Sequence, residues 1–129
     1  MGKVLRDLWI LHEHGLAVFS RVIDRSIEPQ MFGGLMTALN KFAETLSQGG
    51  ISNFELSSIR FTIEKRNHFI FVTNSSSSVK PKRIINELKK ISKKFFEIYP
   101  EEVIEKWDNN INIFESFEEK IIDSLVESA

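Results

Sequence analysis

At 129 residues the chain has the length of one ordinary domain, and a domain of that size buries about two thirds of its unfolded surface, enough for an independent core. A hydrophobic fraction of 42% and a charged fraction of 27% fit a soluble globular protein; no apolar run approaches the ~20 residues of a membrane span, and the absence of cysteine excludes disulfides and thiolate zinc sites. The net charge of −1 hides a segregation: Lys80, Lys82, Arg83, Lys89, Lys90, Lys93 and Lys94 oppose the single acid Glu87, whereas from Glu97 onward acids dominate over Lys106 and Lys120. One domain spanning 1–129 is expected, and since Arg6 and Asp7 interrupt any signal-peptide pattern, a cytoplasmic location is expected too.

In chain order, Leu8-Trp9-Ile10-Leu11 is a continuous apolar run ending at His12. Glu13-His14-Gly15 offers a reversal, with Gly15 supplying positive φ, and Leu16 to Ile23 returns as a second strand nearer the sheet edge. A helix is predicted over 29–47: Ser26 to Glu28 offer a cap, Pro29 suits the first turn, and Gly49-Gly50 closes it. Its apolar stripe is read as Phe32, Leu35, Met36, Leu39, Phe42, Ala43 and Leu46. Gly33-Gly34 inside it costs about 1 kcal/mol per glycine relative to alanine, which points either to close approach of another backbone or to a weak first turn.

Three strands follow, about 52–57, 59–65 and 68–73. Phe54 and Leu56, then Ile59, Phe61 and Ile63, alternate with polar residues, while Phe69-Ile70-Phe71-Val72 is again continuous; the meander therefore runs from an exposed edge to the centre. Ser57-Ser58 and Arg66-Asn67 read as turns, and Asn74 to Ser78 as a mobile loop. Pro81 starts a second helix with Ile84, Ile85, Leu88, Ile91, Phe95, Phe96 and Tyr99 inward; Pro100 ends it, Glu101 to Trp107 adds a turn or two, and a last helix over 111–127 buries Phe114, Phe117, Ile121, Ile122 and Leu125.

The two continuous runs need cover on both faces, and the three amphipathic stretches supply it, giving an α+β fold of element order β-β-α-β-β-β-α-α with a five-stranded antiparallel sheet between helix layers. No Ser, Cys or Thr is paired with a base in a recognisable motif, and no Gly-rich loop leads into a helix, so the expectation is a non-enzyme without cofactor.

This order resembles a longin-like α/β/α sandwich, as in longin domains of SNAREs, adaptor small chains, TRAPP subunits and the signal-recognition-particle receptor, and in free-standing longin-like proteins encoded near small GTPases in archaea. The Leu8 to Phe19 hairpin, the Phe32 to Leu46 helix and the Phe69 to Val72 strand before a long helix carry the resemblance. The related roadblock class begins with a helix before its hairpin, which favours longin. The resemblance implies that the first and fifth strands lie side by side at the centre. It also implies a non-catalytic interaction module that binds or regulates a small GTPase, or pairs with a longin- or roadblock-type subunit, in membrane trafficking. The alternative is a small-ligand or metal-responsive sensor domain, which requires a sizeable cavity.

With those strands paired, His12, His14 and His68 fall at one end of the sheet, where polar turn histidines are the plain reading and a metal is not expected. The basic face of Lys82, Arg83, Lys89, Lys90 and Lys93 reads as a solvated helix face, an anionic-membrane contact or a dock for an acidic protein; nucleic acid is not expected, because the aromatics of that helix sit on its apolar side. An edge strand around 52–57 without Lys or Pro, beside the Gly33-Gly34 helix, predicts a homodimer or heterodimer with Phe54 and Leu56 near the contact; the alternative is a monomer whose edge is guarded by Asn53 and Glu55.

Overall fold

The computed structural model describes residues 5–22, 29–46, 53–56, 59–76 and 78–122, with the side chains of residues 29, 42, 43, 45, 46, 54, 56 and 59 outside that description. The Ser26 to Glu28 cap, the Gly49-Gly50 helix end, the Ser57-Ser58 turn and Leu125 lie outside the described residues. The chain runs β1 (Leu8–His12), β2 (Ala17–Arg21), α1 (Pro29–Leu46), β3 (Asn53–Leu56), β4 (Ile59–Arg66), β5 (Phe69–Ser76), α2 (Pro81–Ile98) and α3 (Glu101–Glu105). A 3-10 turn at Ile111–Phe114 and α4 (Phe117–Ile121) follow. The strands form one sheet of order β2-β1-β5-β4-β3, antiparallel throughout.

The two continuous apolar runs are hydrogen-bonded neighbours, in register from Leu8 opposite Thr73 to His12 opposite Phe69. Successive side chains of a strand leave on opposite faces, so each run feeds two cores. Leu8, Ile10, Phe69 and Phe71 join Ile84, Leu88, Ile91 and Phe95 of α2 on one side; Trp9, Leu11, Ile70 and Val72 join Met36 of α1 and Phe61 and Ile63 of β4 on the other. On the α2 side Phe95 is the hub, with ring centroids at 5.4 Å from Phe69, Phe114 and Phe117, 5.6 Å from Phe71 and 5.0 Å from Tyr99. Each such pair adds about 0.5–1.5 kcal/mol beyond its buried area.

Three expectations are corrected. The Asn74 to Ser78 stretch is not a loop at its start: β5 continues to Ser76, and Asn74 and Ser75 are buried. The Asn74 carboxamide clamps Asp7, accepting its N–H at 2.9 Å and donating to its carboxylate at 2.9 Å, while Thr73 Oγ1 donates to Asp7 O at 2.7 Å. A long-range partner for a polar side chain thus extends a strand that composition alone would stop.

The β4–β5 reversal falls on Asn67-His68 rather than Arg66-Asn67, with φ of 48° and 69°, the paired positive values of a type I′ hairpin that Asn and His tolerate.

The predicted 111–127 helix is broken into the 3-10 turn and α4. Asn110 Oδ1 caps Asn112 N–H at 3.0 Å, and Tyr99 O–H donates to Ile113 O at 3.0 Å, engaging a carbonyl a continuous helix would use. Phe114, Phe117 and Ile121 still reach the core, while Ile122 and, on α2, Ile85 are exposed rather than inward.

Candidate functional site

The rotation of α1 about its axis decides what the protein presents, and Gly33 sets it. A Cβ on Gly33 would lie 2.7 Å from Gly15 O and 3.3 Å from Leu11 Cδ2, so this turn of helix rests directly on the β1–β2 reversal, where Gly15 has φ +103°. The backbone that approaches Gly33 is therefore the chain's own. Gly34, by contrast, is exposed, and a Cβ there would meet nothing within 4 Å.

With Gly33 inward, positions three, four and seven residues later follow it. Met36, Thr37 and Asn40 are buried, and Leu35, about 200° around the helix from Gly33, is not. Leu35 was expected in the core and is 60% exposed, beside Met31 at 75%. The signal was present in the sequence: residues 31, 32, 35, 36 and 39 are apolar on a wider arc than one buried face needs.

The sheet edges differ. On β2, the Gln30 carboxamide takes both main-chain groups of Ala17, accepting its N–H and donating to its carbonyl at 2.9 Å each, which occupies part of that edge with a side chain from α1. β3 occupies the other edge, with Asn53 and Glu55 exposed and Glu55 held to Arg60 of β4 at 3.1 Å. The backbone of Phe54 and Leu56 lies in β3, paired with Phe61 and Ile59; their side chains lie outside the described residues.

The end of the sheet carrying the β1–β2 turn is polar. His68 Nδ1 meets Glu13 Oε1 at 3.0 Å, and the Glu13 N–H donates to His68 O at 2.9 Å, tying the two hairpin turns together. His68 holds the Glu13 carboxyl below its usual range, while burial, reinforced by His14, lowers the His12 ring. The three histidines do fall at one end, but His12 Nδ1 accepts from the His14 N–H at 3.2 Å, and among the described residues no group of three ligands is placed to hold a metal.

Between this turn, α1 and β4 lies a cleft of about 260 Å³. Its floor includes Thr37, Asn40 and Ile70, and its rim Glu13, Lys41, Glu44 and Lys65, with Lys65 Nζ paired to Glu44 Oε2. Thr37 Oγ1 and Asn40 Oδ1 are buried without a hydrogen-bond partner among the described residues. Sequence reasoning missed Thr37, Asn40 and Gln30, since isolated polar residues in a helix carry no pattern of their own.

Lys82, Arg83, Lys89, Lys90 and Lys93 are all exposed along α2, with Lys90 paired to Glu87 at 3.1 Å. Beneath the start of this helix a second cleft of about 450 Å³ is lined by Arg60, Thr62 and Glu64 of β4 and by Pro81, Ile85 and Leu88. Its polar wall is internally matched in part: Ser92 Oγ donates to Glu64 at 2.8 Å and accepts from Arg66 at 3.1 Å, and Arg60 donates to Val79 O at 3.0 Å. No helix among the described residues is long and apolar enough to cross a membrane.

No protein-family model matches the chain, and no curated protein matches it. Solved structures do. Myxococcus xanthus MglB superposes with a TM-score of 0.61 at 13% identity, covering 74% of this chain and 77% of that one. A Roadblock/LC7 domain from Streptomyces avermitilis gives 0.57 at 13% identity, covering 74% and 85%. The gliding protein MglB from Thermus thermophilus gives 0.51 at 9%, covering 67% and 70%. At such identities the likeness is one of fold, an α+β sandwich of the longin-like kind. It does not carry the preference for longin over roadblock relatives.

Proposed function

We propose that this chain is a non-catalytic interaction module that pairs with a second longin- or roadblock-type subunit, most simply its own copy, and as that pair binds or regulates a small GTPase from a cytoplasmic position. The observation that carries the reading is the outward face of α1. Met31 and Leu35 lie one turn apart and are the two most exposed large hydrophobics described, with Gly34 between them leaving room for a close neighbour. The sheet edges support pairing as well: the β2 edge is partly occupied by Gln30, so a second sheet has β3 as its open side. The shared fold with MglB and Roadblock/LC7 structures supports the subunit type, and the GTPase rests on the sequence resemblance.

Sedimentation and a pulldown with nucleotide-loaded small GTPases of the same genome test the two halves separately. Leu35→Glu is expected to leave stability within about 0.5 kcal/mol, since it changes an exposed site, and to convert a dimer to monomer. A wild type that is monomeric at tens of micromolar removes the homodimer; no nucleotide-dependent partner removes the GTPase reading.

A further inference from the structure

The inward side of α2 is spent on the core, and its outward side is a line of cations. Ile84, Leu88, Ile91 and Phe95 are buried. At 3.6 residues per turn, Lys82, Asn86, Lys89 and Lys93 fall on an arc of about 60° on the opposite side and run roughly 16 Å along the axis, all of them exposed. Lys82, Lys89 and Lys93 make no ion pair among the described residues. On the flank of this line Lys90 pairs with Glu87 at 3.1 Å, Lys94 Nζ donates to Lys120 O at 3.0 Å, and Arg83 is exposed. The line stops at Glu97, after which Glu101, Glu102 and Glu105 of α3 are exposed, so the cationic ridge is confined to residues 82–94.

Shape and residue type together choose what lies against it. Pro81, Ile85 and Leu88 line the cleft beside the helix, whereas Lys82, Lys89 and Lys93 stand outside it on a convex ridge. A small anion finds no enclosure there, but a charged plane meets the whole line. Protein interfaces are depleted in lysine and are anchored by aromatic and arginine side chains in desolvated pockets. The rings of α2, those of Phe95, Phe96 and Tyr99, are committed to the core, and the outward line is lysine and asparagine. A lysine ammonium is a strongly hydrated point charge on a flexible stem, which suits mobile headgroups that rearrange to meet it better than a fixed acidic partner. Because the apolar face of α2 is buried in the core, the helix does not insert, and the contact is one of charge.

We propose that α2 is a peripheral-membrane contact, with Lys82, Lys89 and Lys93 lying against an anionic lipid leaflet and Arg83 and Lys90 on their flank. The proposal is independent of the pairing and GTPase readings: a monomer that ignores every GTPase still binds vesicles if it holds.

Flotation of the full chain with phosphatidylcholine vesicles, and with vesicles holding about 30% phosphatidylserine, measures the contact. Binding is expected to the anionic vesicles alone, and to fall at least about tenfold between roughly 0.1 and 0.3 M salt, since exposed charges carry it. Each lysine near such a surface is worth about fivefold in affinity, so Lys82→Gln, Lys89→Gln and Lys93→Gln combined should lose about a hundredfold. Their exposure leaves the thermal midpoint close to that of the wild type. A control with the same change in net charge, Lys41→Gln, Lys106→Gln and Lys120→Gln combined, should lose less than about fivefold. Soluble poly-glutamate at equal charge concentration should bind at least about tenfold more weakly than the anionic vesicles. No binding to anionic vesicles, equal binding to phosphatidylcholine alone, or a control that loses as much as the α2 variant would each overturn the proposal. Poly-glutamate that matches the vesicles would overturn it in favour of an acidic protein.

Discussion

Around Phe95, the C-terminal half of α2 packs against the sheet largely through rings, with Ile91 and Ser92 beside them; beneath α1, on the opposite face of the same strands, the layer mixes Trp9 and Phe61 with buried Thr37 and Asn40. The indole of Trp9 stacks on Phe32 at 4.0 Å, yet its Nε1 joins Thr37 and Asn40 in having no partner among the described residues. On the other side buried Ser92 is matched by Glu64 and Arg66, while Ser75 Oγ and Glu87 Oε1 have no partner among the described residues. One face is thus built for cohesion, and the other gives up cohesion to present α1. In the proposed reading, the face that gives it up is also the one that meets partners.

The largest expected effect contrasts the two layers directly. Phe95→Ala should destabilise by about 3–5 kcal/mol, because a fully buried ring with six aromatic neighbours cannot be replaced by collapse, whereas Phe32→Ala, only partly buried, should cost about 2 kcal/mol. Urea midpoints at unchanged slope measure both, and equal losses would erase the distinction.

The next contrast lies within α1 itself. Gly33→Ala forces a methyl against Gly15 O and should cost about 1–3 kcal/mol, while Gly34→Ala, facing open space, should stabilise the monomer by up to about 1 kcal/mol through helix propensity. Opposite signs at adjacent residues fix the rotation of the helix; a reversed pattern would mean that Gly34 faces the hairpin.

The smallest effect is a pH dependence at the shared end of the sheet. His12 titrates below 6.5 in the fold, chiefly because of burial, so the unfolded chain takes up the proton first as pH falls. Its contribution is complete above pH 6.5 and is lost as pH drops from there through the folded value. The Glu13 carboxyl, held down by His68, contributes above its unfolded value near 4.5 and loses that contribution only at lower pH. A stability profile of wild type against His12→Gln should therefore lose the upper step and keep the lower one. Two unchanged steps would place the upper one on another group.

Patterns of period two and continuous apolar runs were legible in the residues, because a doubly buried strand announces itself wherever it sits: Leu8 to Leu11 and Phe69 to Val72 are hydrogen-bonded neighbours between two helix layers. Helix existence at 29–46 and 81–98 was legible for the same reason, since Pro starts and apolar periodicity are local properties. The rotation of α1 was not. Its apolar arc is wide enough for two orientations, and only the seat of Gly33 on Gly15, residues far apart in sequence, chooses the one that buries Asn40 and exposes Leu35. Nor was the length of β5, where Asn74 looks like a loop residue until Asp7 meets it, or the break before α4, where Tyr99 engages Ile113 O. The sequence by itself determined which segments are buried on which periodicity; the tertiary structure alone decided helix rotation, strand ends and the polar cleft, because each depends on a contact whose two partners carry no mark of one another in the chain.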